Sequence, residues 1–279
     1  MTTDSAYGSL EEETRVSRTH QFVQRLGVPD LAARTSPFDP GYDLQTVVSH
    51  LEQSHHLISR LKLSMACWLI AAESATLAKI EAARRLGVPL VTGGGPFEIA
   101  QDRRMLSEFI ELAASLGIDR IEAGQGFTTL RHPPSDVVRM AESFGLTVQI
   151  ELGDKHGGTF SSQVVQELID TGLRWLDAGA KQVVVEARES GKEIGLFDQD
   201  GGLNFAAAEA FAGAFGMERT IFEAPNKKSQ FDLLTHFGNA VNLSNVRLEE
   251  LLRVEIYRRG LHADAYDREL ASRPAAVAG

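Results

Sequence analysis

Short apolar runs that stop at a glutamate recur through the second half of this chain. Arg120-Ile121 stops at Glu122-Ala123-Gly124, and Thr147-Val148-Gln149-Ile150 stops at Glu151-Leu152-Gly153. Val183-Val184-Val185 stops at Glu186-Ala187-Arg188, and Thr220-Ile221-Phe222 stops at Glu223-Ala224-Pro225. Each run is followed by a segment with helical spacing of its apolar positions, which is the pattern of repeated βα units around a parallel sheet. Helices are predicted over Ala71 to Leu86, Met105 to Leu116, Ser135 to Phe144, Ser162 to Ala178, Asn204 to Phe215, Ser229 to Phe237 and Leu248 to Arg259. Most of them end beside a glycine, the residue that most easily takes the left-handed conformation after a last helical turn. Strands are predicted over Val88 to Val91 and Ala240 to Leu243, and over Leu57 to Met65, while a weak first strand falls in the turn-rich stretch Arg34 to Gly41. Asp43 is placed to cap a helix over Leu44 to Leu51. Counting the weak first strand, the chain reads as eight units. The predicted fold is therefore a single (β/α)8 TIM barrel over residues 21–268, between a flexible leader at 1–20, with a short helix at Thr19 to Leu26, and a flexible tail at 269–279.

Composition narrows the partners. The 279 residues suit one barrel of about 250 residues. A net charge of -10 argues against nucleic acid or an anionic membrane surface, which call for a basic face. An anionic substrate must then be held by local cations. One cysteine, Cys67, excludes an intrachain disulfide and favours the cytoplasm, and no Cys/His spacing suggests zinc. Met1 to Glu13 has no apolar core of a secretory signal, and no apolar run reaches the 18 or so residues of a membrane span.

In a parallel barrel, catalytic groups sit at the C-terminal ends of the strands, where Glu122, Glu151, Glu186 and Glu223 all fall. Four carboxylates converging on one mouth repel one another and require cations between them. A single one of them reads equally as a structural partner of Arg or Lys, but four at successive strand ends point to function. Hard oxygen ligands without His or Cys favour Mg²⁺ as the cofactor. Lys62, Lys155, Arg188, Lys227 and Lys228 are the available cations, and Lys62, inside an apolar strand, is a candidate general acid because burial lowers a lysine's pKa. Gly93-Gly94-Gly95 offers either a backbone nest for an anion or a tight turn. Cys67 reads as a small buried thiol, and His156 and His262 as solvated polar residues.

The run Val185-Glu186-Ala187-Arg188-Glu189-Ser190-Gly191, with Gly195-Leu196-Phe197-Asp198, Ile221-Phe222-Glu223-Ala224-Pro225-Asn226-Lys227, Phe237-Gly238 and Val241-Asn242-Leu243, resembles phosphosulfolactate synthases. So do Gly93-Gly94 with Phe97-Glu98, and the closing Arg258-Arg259-Gly260-Leu261. The resemblance spans about Asp39 to Asp264 and implies a (β/α)8 barrel, often trimeric, that uses Mg²⁺ to add sulfite to C3 of phosphoenolpyruvate. It further implies Lys155 as the general acid at C2, with Lys62 and Arg188 beside it. Glu122, Glu151, Glu186 and Glu223 would shape or ligate the metal site, and Gly93, Gly94, Gly95, Lys227, Asn242 and Arg259 would bind a small anionic substrate.

The chain departs from that pattern around the mouth. Leu63-Ser64-Met65-Ala66-Cys67 replaces a Gly-Trp-Gly-Thr type loop, Gln125-Gly126 replaces an aspartate and glycine, Pro40 stands for a lysine, Asp154 for one of two lysines, and His262-Ala263-Asp264-Ala265 for Arg-Gly-Asp-Thr. Anion-holding groups are lost while the carboxylates stay. Beside the parent reaction, two further readings follow: the same enolate chemistry on a less anionic enol or enoyl acid, or a barrel without catalysis serving as a binding or stress-related protein.

Overall fold

The computed structural model describes residues 17–153, 158–187, 191–193 and 195–266. The leader before Ser17 and the tail after Tyr266 lie outside the described residues, as do Lys155, His156 and Arg188.

Eight parallel strands close into a barrel in chain order: β1 (Thr35–Asp39), β2 (Leu61–Leu63), β3 (Leu90–Thr92), β4 (Arg120–Gly124), β5 (Thr147–Leu152), β6 (Gln182–Val185), β7 (Thr220–Glu223) and β8 (Asn242–Arg247), with β1 paired to both β2 and β8. The helices are α1 (Arg18–Arg25), α2 (Leu44–Ser54), α3 (Cys67–Ile70), α4 (Glu73–Arg85), α5 (Gly94–Asp102), α6 (Leu106–Leu116), α7 (Pro134–Ser143), α8 (Ser162–Asp177), α9 (Phe205–Phe215), α10 (Lys227–Phe237) and α11 (Leu251–Arg258). The (β/α)8 reading of the sequence is the observed architecture. Its physical basis is ordinary: strands buried on both faces are near-continuous apolar runs, and amphipathic helices cover them. Val183, Val184 and Val185 are buried, and Phe211, Phe215 and Trp175 pack from the helical layer. Asp43 caps α2 through the Thr46 amide, as read from the sequence, and Asn226 caps α10 in a reciprocal pairing with Ser229.

Three local expectations change. Strand two is shorter than Leu57 to Met65, because His55–Leu57 closes α2 as a 3₁₀ turn and Met65 adopts φ 52°, which no strand tolerates. The glycine triplet opens α5 instead of forming a loop, with Gly93 as its N-cap. Strand eight does not end at Leu243. Gly238–Ala240 forms a 3₁₀ turn, so β8 begins at Asn242 and runs on to Arg247.

This last shift carries a bulge. Ser36 pairs with Ser244 but Pro37 pairs with Val246, so Asn245 is the extra residue, at φ 53°. Pro37 has no N–H to offer a ladder, and a bulge opposite it absorbs the mismatch and re-aims the inserted side chain.

Candidate active site

The polar interior of the barrel is built from strand positions that face inward. Lys62 of β2 places its Nζ 2.7 Å from Glu122 Oε1 of β4 and 3.4 Å from Glu223 Oε1 of β7. All three side chains are almost fully buried. The expectation for Lys62 as an acid of lowered pKa is corrected here. Burial pushes its ammonium down, but the carboxylates of Glu122, Glu223 and Glu151 outweigh burial and hold it well above a free lysine's value. Lys62 is a fixed cation.

Glu122 is held on every side. Its Oε1 accepts the Gly94 N–H at 2.9 Å and its Oε2 accepts the Gln149 amide at 2.8 Å. Burial raises its carboxyl to about 7, against the opposing pull of Lys62 and with Glu151 and Glu223 raising it further.

Glu151, Glu186 and Glu223 form a tighter group. One carboxylate oxygen from each lies within 4.8 Å of the others, and all three residues are buried. At that separation each ionised pair repels by about 3 kcal/mol at an effective dielectric of about 20. Glu223 also accepts the Ala187 N–H at 2.9 Å, which fixes its second oxygen. The trio suits a hard divalent cation, whose charge would offset the repulsion and whose ligands are carboxylate oxygens. Glu122 stands outside the trio, its oxygens already engaged by Lys62, Gly94 and Gln149.

Backbone shape completes the pocket. A Cβ on Gly94 would stand 2.5 Å from Glu151 Oε2, so any other residue there would displace that carboxylate from the start of α5. The Gly94 N–H serves Glu122, so the nest expected of the triplet is partly spent on the protein's own acid. On the outer side of α5, fully buried Glu98 accepts the N–H groups of Gly126, Phe127 and Thr128 at 3.0, 2.9 and 2.8 Å and the Thr128 hydroxyl at 3.0 Å. It pins the loop after β4 to the helix that carries Gly94.

These groups open into a cavity of about 330 Å³ at the C-terminal end of the barrel, where Lys62, Glu151, Glu186 and Glu223 meet Ser64, Met65, Gly95, Ile99 and Asn245. Among the described lining residues Lys62 is the one cation. Met65 and Ile99 are each about half exposed and give the rim an apolar side.

The remaining expected residues are placed elsewhere. Asn242, the first residue of β8, lies at the N-terminal end of the barrel, where its amide donates to the carbonyls of Met217 and Thr220 at 2.8 and 3.0 Å. Arg259 follows the last turn of α11 and pairs with Glu255. Its neighbour Arg258 reaches the carbonyls of Asn239 and Val241 near the start of β8, which puts this helix end on the face opposite the mouth. Neither meets the cavity. Lys227 starts α10 on the mouth side but is exposed, 3.3 Å from Asp264 and 5.1 Å from the Phe231 ring. Cys67 donates its thiol to the Ser64 carbonyl at 2.9 Å, and burial pushes its pKa up, so it stays a thiol.

Sequence reasoning missed Asn245, Glu98, Met65 and Ile99. The two non-glycine residues at positive φ in the cavity wall, Met65 and Asn245, had no signal in composition or period. Glu98 had a weak one, an acid inside an apolar helix start.

An eight-stranded parallel barrel with its buried acids and one lysine at the C-terminal mouth belongs to the large class of (β/α)8 barrel enzymes, which share that placement of the active site. Solved barrels share the fold at low identity: KGPDC from Streptococcus mutans, 13% identical, TM-score 0.52, covering 82% of this chain and 99% of that one, and 3-dehydroquinate dehydratase from Geobacillus kaustophilus HTA426, 14% identical, TM-score 0.50, covering 81% and 91%. Residues 25–264 match the family model for (2R)-phospho-3-sulfolactate synthase (ComA), and the chain belongs to that family, one of carbon–sulfur bond-forming enzymes. Among curated relatives, the phosphosulfolactate synthases of Methanocaldococcus jannaschii and Bacillus subtilis are 28% and 26% identical, over 84% and 87% of this chain and 94% and 95% of theirs.

Proposed function

We propose that this enzyme adds sulfite to C3 of phosphoenolpyruvate in a Mg²⁺-dependent reaction. Family membership supports the reaction class, and the observation that carries the metal dependence is the trio Glu151, Glu186 and Glu223 within 4.8 Å of one another beside Lys62. Sulfite sulfur bonds to C3, the C2–C3 π pair moves toward the carboxylate as an aci-carboxylate, and a proton then adds at C2 to give phosphosulfolactate. Magnesium, when bound by the trio, supplies Lewis-acid charge for that developing dianion.

The chain's own residues then have distinct tasks. Lys62 keeps its proton and holds Glu122 and Glu223 in place while adding fixed positive charge to the floor of the cavity. Gly94 keeps the start of α5 close to the reacting centre. By resemblance Lys155 delivers the C2 proton, and Arg188 assists in holding the anionic groups. The same reading has the protein cytoplasmic and homo-oligomeric, a trimer in the family manner, with no nucleic acid or membrane partner. Among the described residues, no helix is long and apolar enough to cross a membrane.

A second reading is favoured by one observation. The described cavity wall offers a single cation already shared between two carboxylates, and its rim carries Met65 and Ile99. Such a wall suits an enol or enoyl acid with fewer charges and an apolar substituent, attacked through the same enolate. Product formation from phosphoenolpyruvate and sulfite, followed by mass spectrometry with and without Mg²⁺, separates the two. A magnesium-dependent phosphosulfolactate peak establishes the first. No product from protein that is folded and binds magnesium leaves the second.

A further inference from the structure

The N-terminal face of the barrel, opposite the mouth, holds a second polar cavity of about 170 Å³. Its wall includes Arg34 with its partner Glu218, Ser59, Arg60, Gln149, Gln182 and Asn242, all but Gln149 at or just before the starts of strands. Arginine density is high here for a chain of net charge -10. Three guanidinium groups converge, and they differ in their partners.

Arg34 is bidentate to Glu218 at 2.7 and 2.8 Å. Arg120, in the layer behind the wall, is 8% exposed and donates to Thr147 Oγ1 at 3.0 Å, Gln149 Oε1 at 3.3 Å and Gln182 Oε1 at 2.6 Å. These are neutral acceptors, and burial together with the charge of Arg60 brings Arg120 down to about 9, against the opposing pull of Asp119. Arg60 lines the cavity itself. Among the described residues its half-buried guanidinium has no hydrogen-bond or ion-pair partner, and its pKa is lowered, burial outweighing the charge of Asp119.

A half-buried guanidinium without a hydrogen-bond or ion-pair partner, backed by a second arginine whose own hydrogen bonds go to neutral acceptors, is costly unless an anion covers it. Water fills space but does not neutralise charge. The cavity holds several waters' volume, at about 30 Å³ each. Ser59 stands beside Arg60 in the wall, and Arg34, its charge already matched by Glu218, offers guanidinium N–H groups at the edge.

We propose that this cavity is a binding site for a small tetrahedral oxyanion, a phosphate group held in the fork of Arg60 with Ser59 and Arg34 around it. The phosphate is either inorganic or carried on a small metabolite. The site is separate from the catalytic mouth, and its occupancy does not depend on the reaction assigned there. Asn242, whose position in the sequence suggested substrate binding, serves here by orienting the wall, its Oδ1 accepting from Arg34 at 3.4 Å.

Titration calorimetry and thermal melting of the full chain in magnesium-free buffer, with inorganic phosphate and separately with glycerol 3-phosphate, test this. Wild-type protein is expected to bind phosphate saturably and to melt higher in its presence, since a ligand of the folded state alone raises the midpoint. In Arg60→Gln the affinity should fall at least tenfold, and the melting temperature without phosphate should be unchanged or higher. Arg60→Lys, which keeps the charge but not the fork, should lie between. Tighter binding of glycerol 3-phosphate than of inorganic phosphate identifies a metabolite ligand, and the reverse identifies the free ion. Phosphate binding that survives Arg60→Gln would place the anion at the mouth and overturn the proposal. So would a wild-type protein with no saturable binding, or an Arg60→Gln protein that instead changes oligomeric state, which would make a second copy's carboxylate the partner.

Discussion

Single positions decide the mouth. Gly94 is the sharpest case, because any side chain there meets the Glu151 carboxylate. Gly94→Ala is expected to fold, since the residue sits in the first turn of α5 at an ordinary backbone angle, but to bind magnesium at least tenfold more weakly as Glu151 is pushed aside; calorimetry reads this directly. Lys62→Met leaves Glu122 and Glu223 buried without their cation. Removing one partner of a buried pair costs about 3–5 kcal/mol, so a marked loss of stability in denaturant unfolding is expected, partly restored by magnesium. Unchanged stability would show that Lys62 does not hold the carboxylates together. Glu122 sets a pH dependence. Its carboxyl is raised from an ordinary value near 4.5 to about 7 by burial, against Lys62 and helped by Glu151 and Glu223. A raised acid contributes stability at low pH that is lost as pH rises through the folded value. In metal-free protein this group should therefore erode stability between about pH 4.5 and 7, by up to about 1.4 kcal/mol per pH unit. Comparison of wild type with Glu122→Gln across that window isolates the effect, and identical slopes would remove it.

At the scale of elements, α5 is the unit that the rest of the mouth depends on. It starts at the glycines against Glu122 and Glu151, and through Glu98 it anchors the loop after β4. Glu98→Gln keeps the shape but turns an acceptor-only carboxylate into a group half of which donates toward N–H donors. A loss of about 1–3 kcal/mol is expected, with faster hydrogen exchange confined first to residues 126–128. A uniform change over the barrel would argue against a local anchor. The helix periods, the closing glycines and the cap at Asp43 were legible in the sequence because each is a local property of the chain. The helical start at Gly94 was not, because three glycines are the weakest of helix signals and only contact with the two acids and the packing of Phe97 favours a helix there. The end of β8 was misplaced for a similar reason. The short stretch Ala240 to Leu243 gives no sign that a bulge at Asn245 will extend the strand.

For the molecule as a whole, the distribution of charge matters more than its total. Three buried carboxylates line the cavity at the mouth and two arginines line the one at the other end, so the net charge of -10 describes neither cavity. Magnesium should raise the melting midpoint, because an ion held only by the folded protein stabilises it and offsets the repulsion within the trio. A midpoint insensitive to magnesium would leave the trio without its proposed ion.

Sequence alone determined the barrel, the four glutamates at strand ends and the family, because alternating strand and helix periods and short motifs are written along the chain. It also placed Lys62 inside a strand. Tertiary structure decided which acids meet, since the separation of Glu151, Glu186 and Glu223 depends on the register and tilt of three strands rather than on spacing in sequence. It likewise set Lys62 as a fixed cation, because the sign of a buried group's pKa shift follows from which charges face it. And it sent Asn242 to the far face, because the 3₁₀ turn at Gly238–Ala240 makes it the first residue of β8.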